Sequence, residues 1–373
     1  MSTEAAFSAL RLQPLPEGLV SLRAHEAQAR SRLDAATWAY FNGGSADEIT
    51  RQANDAAWNR IGLLPRVLRP LERGHTRVEL LGRTLAHPIL LAPVAFQTLA
   101  HPDGELASAQ AAAAQGAGFV LSTQSSLPLE TIAQAVRDEP ARGPLWFQLY
   151  LQPDRGLTRA LVERAERAGY EALVLTVDAP VQAPRDAQAL AGFRVPPGLS
   201  AHLPPATTAP LPDGADAVFD RLMPAAPTWA DLEWLRSLTR LPLVLKGITH
   251  PADARQALTS GVAALIVSNH GGRSLDTVPS TAQLLPAIAQ TVDGRIPLLV
   301  DGGIRRGTDV LKALALGARA VLVGRPVAWG LANAGALGVA HVIRLLRDEL
   351  TVAMALCGCA RPADAEPALL SRL

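Results

Sequence analysis

AALIVSNHGGRSLD, residues 263–276, is the stretch on which the reading of the fold turns. Its first five residues are continuously apolar and rich in branched side chains, the pattern of a strand buried on both faces of a parallel sheet. The chain then turns polar at once, so His270 and Arg273 fall in the loop that leaves the C-terminal end of that strand. Barrel enzymes carry their chemistry at that end.

The same grammar recurs along the chain. Short apolar runs at residues 89–94 (ILLAPV), 119–123 (FVLST), 145–151 (LWFQLYL), 172–178 (ALVLTVD), 242–247 (PLVLKG), 263–269, 296–303 (IPLLVDGG) and 320–324 (AVLVG) read as eight strands. Helical patterns separate most of them, such as LTRALVERAERAG at 157–169, which closes on a glycine suited to a C-cap. Strand and helix in alternation imply a parallel sheet, and eight such units predict a (β/α)8 TIM barrel. An open doubly wound sheet is the rival; no GxGxxG turn follows the first strand, which weighs against it.

With 373 residues and 49% hydrophobic content, the chain fits one barrel domain over 1–373. Residues 1–87 read as a helical and extended segment covering one barrel mouth. With 35 basic and 34 acidic side chains, no global field draws nucleic acid or an anionic membrane. The start lacks the basic end and apolar run of a secretory signal, and no run of about 18 apolar residues stands out, so a cytoplasmic location is expected. Cys357 and Cys359 are too few for a disulfide framework; a redox pair and two idle thiols both remain open.

One stretch breaks the spacing. Residues 186–227, between the fourth and fifth strands, hold eight prolines and the run PPATTAPLPDG. Proline at that density disfavours helix and central strand alike, so a long surface excursion over the strand ends is expected, either a lid or a disordered insertion. Helix resumes at TWADLEWL, where Thr228 can cap and Asp231 sits three residues on.

The strand ends carry a ring of polar groups: Ala95, Ser122, Gln148 with Tyr150, Thr176 with Asp178, Lys246, Ser268 with His270 and Arg273, Asp301 with Arg305, and Gly324 with Arg325. Charged side chains are rarely buried without partners, so such a ring implies a polar site. DGGIRRGTDV (301–310) and VGRP (323–326) place glycine, then arginine, then a helix start after the last two strands, the usual phosphate-binding place of this barrel.

SNHGGRSLD resembles the SNHGGRQLD signature of the FMN-dependent α-hydroxy acid oxidases and dehydrogenases, the family of glycolate oxidase, lactate oxidase and mandelate dehydrogenase. The likeness runs from about Tyr40 to Gly358 and includes LLAPVAFQTLAHPDGE, FQLYLQPDR, LTVDAP, LVLKGI, DGGIRRGTDVLKALALGA and LTVAMALCGC. It implies an enzyme that uses FMN to oxidise a 2-hydroxy acid to the 2-oxo acid. Dioxygen is expected to take the electrons and leave as hydrogen peroxide; a quinone or protein acceptor is the alternative.

By this resemblance His270 is the active-site base, suited by an unperturbed pKa of about 6.5. Asp178 stabilises its imidazolium, Arg273 and Arg185 hold the substrate carboxylate, and Tyr40 and Tyr150 present hydroxyls to the substrate. Lys246 sits beside the flavin edge that gains negative charge on reduction. Pro93, Val94 and Ala95 lie against the ring, with Ser122, Gln148, Thr176 and Ser268 nearby. Asp301, Gly302, Gly303, Arg305, Gly324 and Arg325 hold ribityl and phosphate. A homotetramer is a further implication; no metal is expected.

Departures from the signature bear on substrate choice. Gln124 stands where glycolate oxidase has tryptophan, Ser274 replaces glutamine, and Pro184 replaces an arginine before Arg185. APVAFQTLAHPDGE and STQSS look most like the hydroxymandelate oxidase branch, which points to an aryl or bulky L-2-hydroxy acid.

Overall fold

Each of the eight expected runs is a strand, and each pairs in parallel with the next until the last returns to the first. The computed structural model, which describes residues 10–204 and 214–372, contains β4 (Ile89–Leu91), β5 (Gly118–Leu121), β6 (Leu145–Leu149), β7 (Ala172–Thr176), β8 (Leu243–Ile248), β9 (Ala264–Val267), β10 (Leu298–Val300) and β11 (Ala320–Val323) as one closed barrel. Closure is made where Val321, Leu322 and Val323 pair with Ile89, Leu90 and Leu91. That excludes the open sheet.

The continuous apolar runs are explained by burial on both faces. One set, including Leu90, Val120, Trp146, Val174, Val244, Ile266, Leu299 and Leu322, packs inside the barrel. The alternate residues, such as Leu91, Phe119, Phe147, Leu175, Leu245, Leu265 and Val300, pack outward against the helices. Each fully buried Leu, Val or Phe contributes about 1.5–3 kcal/mol, so neither face tolerates a polar residue without a partner.

Residues 10–87 reach both mouths, not one. A hairpin of β2 (Val78–Leu80) and β3 (Arg83–Leu85) joins Val78, Leu80 and Leu85 to the interior cluster. Arg83 bonds the Glu171 carboxylate at 2.6 and 2.7 Å just before β7 begins, which fixes this plug at the N-terminal mouth. Helices α1 (Leu22–Arg32), α2 (Ala35–Asn42) and α3 (Ile49–Asn59) instead carry Tyr40 and Asn54 to the opposite mouth. The strand β1 (Ile61–Leu63) pairs with the C-terminal β12 (Leu370–Arg372) and ties the end of the chain back to the segment after α3.

The outer helices include α4 (Gly104–Gln115), α5 (Leu129–Val136), α6 (Arg155–Ala168), α8 (Trp229–Leu238) and α12 (Arg325–Leu356). The glycine expected to end α6 is Gly169, at φ 90°, and α8 opens with the expected capping box of Thr228 and Asp231. By length and composition α12 could cross a bilayer, which a search for consecutive apolar residues misses because Asn333 and His341 interrupt it. It is a core helix: 78% of its apolar stretch is buried in the protein, and it breaks at Ala334 and Gly335.

The proline-rich excursion is partly ordered by packing. Helix α7 (Asp186–Leu190) forms before its first proline, and a wide helical turn (Ala217–Leu222) forms between prolines, so proline-free stretches within it do take helical form. Residues 205–213, most of PPATTAPLPDG, lie outside the described residues. Cys357 and Cys359 are both free and buried at the end of α12.

Two buried histidines make the fold acid-sensitive. Asn333 donates to the His25 ring at 3.1 Å, and the other His25 nitrogen lies 2.9 Å from His341 Nδ1. Burial, reinforced by His341, holds His25 down at about 4; burial holds His87 there as well. Between about pH 6.5 and 4 the unfolded chain therefore binds more protons than the folded one, so this share of stability is complete above 6.5 and drains away on acidification. Urea midpoints should fall across that interval in the native chain and fall less in His25→Leu; equal slopes would remove His25 from the account.

Candidate active site

The loop after β9 is built under strain and tied down on every side. His270 has φ 57°, and Gly271 and Gly272 follow at 64° and 75°, three left-handed residues in succession. For a histidine this costs on the order of 1–3 kcal/mol. It is held by its own N–H on Ser268 Oγ at 3.0 Å and by Arg325 on Gly271 O at 2.9 Å. A Cβ at Gly272 would lie 2.5 Å from Arg51 N, so close contact with α3 demands glycine there as well.

The geometry at His270 assigns its tautomer. Nδ1 lies 2.8 Å from Asp178 Oδ1, and a carboxylate only accepts, so Nδ1 carries a proton and the lone pair of the neutral ring is at Nε2. Burial pushes the Asp178 carboxyl up, but the adjoining His270 ring and the Lys246 ammonium outweigh it and the net shift is downward. Lys246 is 4% exposed; its Nζ donates to Ser268 Oγ at 2.9 Å and pairs with Asp301 Oδ2 at 3.2 Å. Burial opposes its charge, yet Asp301 and Asp178 prevail and the ammonium is held above its ordinary range.

Arg273 and Arg185, like Arg325, face the cavity without a counter-ion among the described residues. Arg273 donates to Tyr40 O at 2.7 Å and Gly43 O at 3.0 Å, and its guanidinium lies 5.4 Å from the Tyr40 ring centre. Burial, then the like charge of Arg185, pulls Arg273 down to about 10. Arg185, at the start of α7, is also pulled down, chiefly by burial, and its Nε is buried with no partner. Neither arginine forms an ion pair among the described residues. Burial likewise lifts Tyr40, and lifts Tyr150 to about 12, so both hydroxyls keep their protons.

All these groups meet in one cleft of about 1040 Å³, counted out to its mouth, at the C-terminal ends of the strands. Every expected site residue lines it except Asp178 and Ser268. Asp178 stands behind His270, as its expected role requires. Ser268, expected near the flavin, is instead fully buried and braces Lys246 and His270 from behind.

The cleft fits FMN. Pro93, Val94 and Ala95 form one wall, while Gln148 Nε2, Thr176 Oγ1 and Asp301 Oδ1 are buried without partners on residues that line it, as an embedded polar ring edge and ribityl chain require. At the far end a Cβ at Gly324 would make only ordinary contact, 3.8 Å from Ala92 Cβ, and α12 starts at the next residue. Arg305 lines the same end, 2.9 Å from Asp55. Two expectations need adjustment. Arg325 donates three hydrogen bonds to the carbonyls of Asn42, Gly271 and Gly43, so it ties α2 to the His270 loop as well as lining the cleft. Gly302 and Gly303 answer to α3: a Cβ at Gly303 would lie 2.2 Å from Asn54 O.

Several residues that hold the site carry no local signal. Asn54 and Asn269 exchange amide hydrogen bonds at 2.8 and 3.0 Å, though 215 positions apart. Asp276, the last residue of the opening stretch, accepts the N–H groups of Ile49 and Thr50 at 3.2 and 2.8 Å and so caps α3, whose own N-cap residue makes no side-chain capping bond. Phe193 stacks on Tyr40 at 4.5 Å. Only the fold pairs these groups.

Known proteins agree with this geometry. A sequence model of the FMN-dependent dehydrogenase family matches residues 29–372. L-lactate oxidase of Nostoc sp. is 49% identical over 359 residues, covering 94% of this chain and 98% of its own. 2-Hydroxyacid oxidase 1 of Homo sapiens is 40% identical, covering 91% and 93%. Among solved structures, mandelate oxidase with (S)-2-phenylpropionate superposes with a TM-score of 0.84 at 42% identity, over 95% of this chain and 98% of that one.

Proposed function

Because the chain belongs to the FMN-dependent dehydrogenase family and is an FMN enzyme that oxidises 2-hydroxy acids, we propose a specific division of labour in its cleft. One observation carries it: a histidine whose Nδ1 is engaged by Asp178 at 2.8 Å shares a cleft with Arg273 and Arg185, neither of which has an anionic partner among the described residues. A substrate carboxylate supplies the missing anion. Arg273 and Arg185 grip it in a planar fork that fixes orientation as well as charge. Tyr40 and Tyr150, both protonated, donate to substrate oxygens.

His270 then removes a proton through Nε2, and Asp178 stabilises the imidazolium so formed. FMN held against residues 93–95 would supply the acceptor for the two electrons and the second proton released when the carbinol carbon becomes a carbonyl. Lys246, kept charged by Asp301 and Asp178, sets a fixed positive charge at the end where negative charge gathers. Pro93, Val94 and Ala95 keep water off that face. Dioxygen is the final acceptor in this reading and leaves as hydrogen peroxide, in line with the oxidase names of the relatives.

The substrate proposed is an L-2-hydroxy acid with an aryl or other bulky side chain. Gln124, part-buried at the cleft wall, supports this, as does the likeness to mandelate oxidase; the L-lactate oxidase relatives mark the small end of the range. The test is an anaerobic panel of 2-hydroxy acids, from lactate to mandelate, scored by bleaching of flavin absorbance and its return in air. Bleaching by an aryl substrate with full recovery in air is expected. Bleaching that air does not reverse would assign a different acceptor, and bleaching by lactate alone would refute the bulky substrate.

A further inference from the structure

Residues 193–203 of the excursion run as a strap from the cleft residue Tyr40 to the loop after β5, and one imidazole clasps the strap to that loop. At one end Phe193 stacks on Tyr40, and Leu199 joins the cluster of Tyr40 and Phe96. At the other, Ala201 N–H donates to Ser125 O at 2.9 Å and His202 is 6% exposed. His202 Nδ1 lies 3.0 Å from Thr123 O, and Leu129 N–H donates to Nε2 at 2.9 Å.

Each contact dictates a protonation state. A carbonyl only accepts, so Nδ1 bears the proton; an amide N–H only donates, so Nε2 must keep its lone pair. Both bonds therefore exist together only in the neutral imidazole. What the clasp holds matters for the site. Thr123 stands between Ser122 and Gln124, donates to Gln148 O at 2.6 Å, and accepts from Tyr150 N–H at 3.2 Å. The charged groups acting on the His202 ring are Glu130 on α5 and Arg164 on α6, which pair with each other at 2.8 Å. The rest of the pocket is Phe147 on β6, edge-on at 5.8 Å, and the Tyr170 hydroxyl, which donates to Leu129 O.

We propose that His202 is a positioning residue: in its neutral form it clasps the strap to the β5 loop, holding Gln124, Tyr150 and Tyr40 in register for substrate, and protonation releases it. The effect on substrate rests on the function proposed above; the clasp itself does not. Burial holds the His202 pKa below its ordinary value. Its folded form thus resists the proton, so the clasp is complete above the ordinary value of about 6.5 and is lost as pH falls through the depressed one.

The test compares the holoenzyme with His202→Gln, whose amide offers a donor and an acceptor but does not titrate, and with His202→Leu, which offers neither. Hydrogen exchange of segments 125–129 and 199–203, corrected for intrinsic rates, is followed from neutral to acid pH beside KM and kcat for a 2-hydroxy acid. In the native chain, protection should fall and KM should rise about tenfold on acidification, the loss expected for buried hydrogen bonds. The Gln variant should be flatter in both. Any pH effect of the rest of the site is common to the two and cancels in the comparison. The Leu variant should show the raised KM at every pH with native FMN content. Parallel pH profiles for native and Gln chains, or a native KM in the Leu variant, would overturn the clasp. Exchange behaving as stated in a protein that turns over no 2-hydroxy acid would uphold the clasp and refute the function.

Discussion

Replacing His270 with Gln should leave a yellow, FMN-loaded protein whose turnover is lower by about a thousandfold or more, at the upper part of what a positioned general base contributes. The argument rests on the lone pair at Nε2. Asp178 occupies Nδ1, so the ring's only free nitrogen faces the cleft, and glutamine offers an amide that takes no proton. Flavin content should survive because the cofactor wall is built from other residues, among them Pro93, Gln148 and Gly324. Turnover and flavin absorbance measured on one sample decide the matter: a variant within tenfold of native turnover would falsify the assignment of the base.

Replacing Arg273 with Lys should lower kcat/KM by about a hundredfold to a thousandfold, the loss typical when one partner of a buried charge pair is cut back. Charge is retained, yet lysine is a point charge and cannot keep two backbone carbonyls and a carboxylate satisfied at once. In the native chain Arg273 already donates to Tyr40 O and Gly43 O, so its remaining donors are aimed by those bonds. The loss should also be selective. The native enzyme should prefer a 2-hydroxy acid strongly over its amide, and the variant should lose most of that preference. Unchanged discrimination between acid and amide would move carboxylate recognition elsewhere.

What could be read without coordinates follows from the range of each interaction. Strands buried on both faces announce themselves as short apolar runs, because every position must avoid polar atoms; all eight are found where the runs lie. A polar residue immediately after such a run projects from a strand end whatever the rest of the chain does. That is why Lys246, His270 and Asp301 could be placed in one ring before they were seen together. The glycines of 302–303 were legible as a place of close approach but not as to what approaches, since Asn54 lies about 250 positions away by sequence. Ser268 illustrates the same limit: its position at a strand end was clear, whereas its inward rotation toward Lys246 depends on where β8 stands beside β9.

By itself the sequence determined the barrel, the mouth that carries the chemistry and the residue types that gather there, because periodicity and burial act over a few neighbouring positions. Tertiary structure alone decided which groups pair across the chain. Asp178 with His270, Asn54 with Asn269, Asp276 with the start of α3, and His202 with the β5 loop are contacts of a few ångströms between segments far apart in sequence. Their partners and protonation states follow from closure of the barrel, which brings these donors and acceptors within reach of each other where water cannot satisfy them.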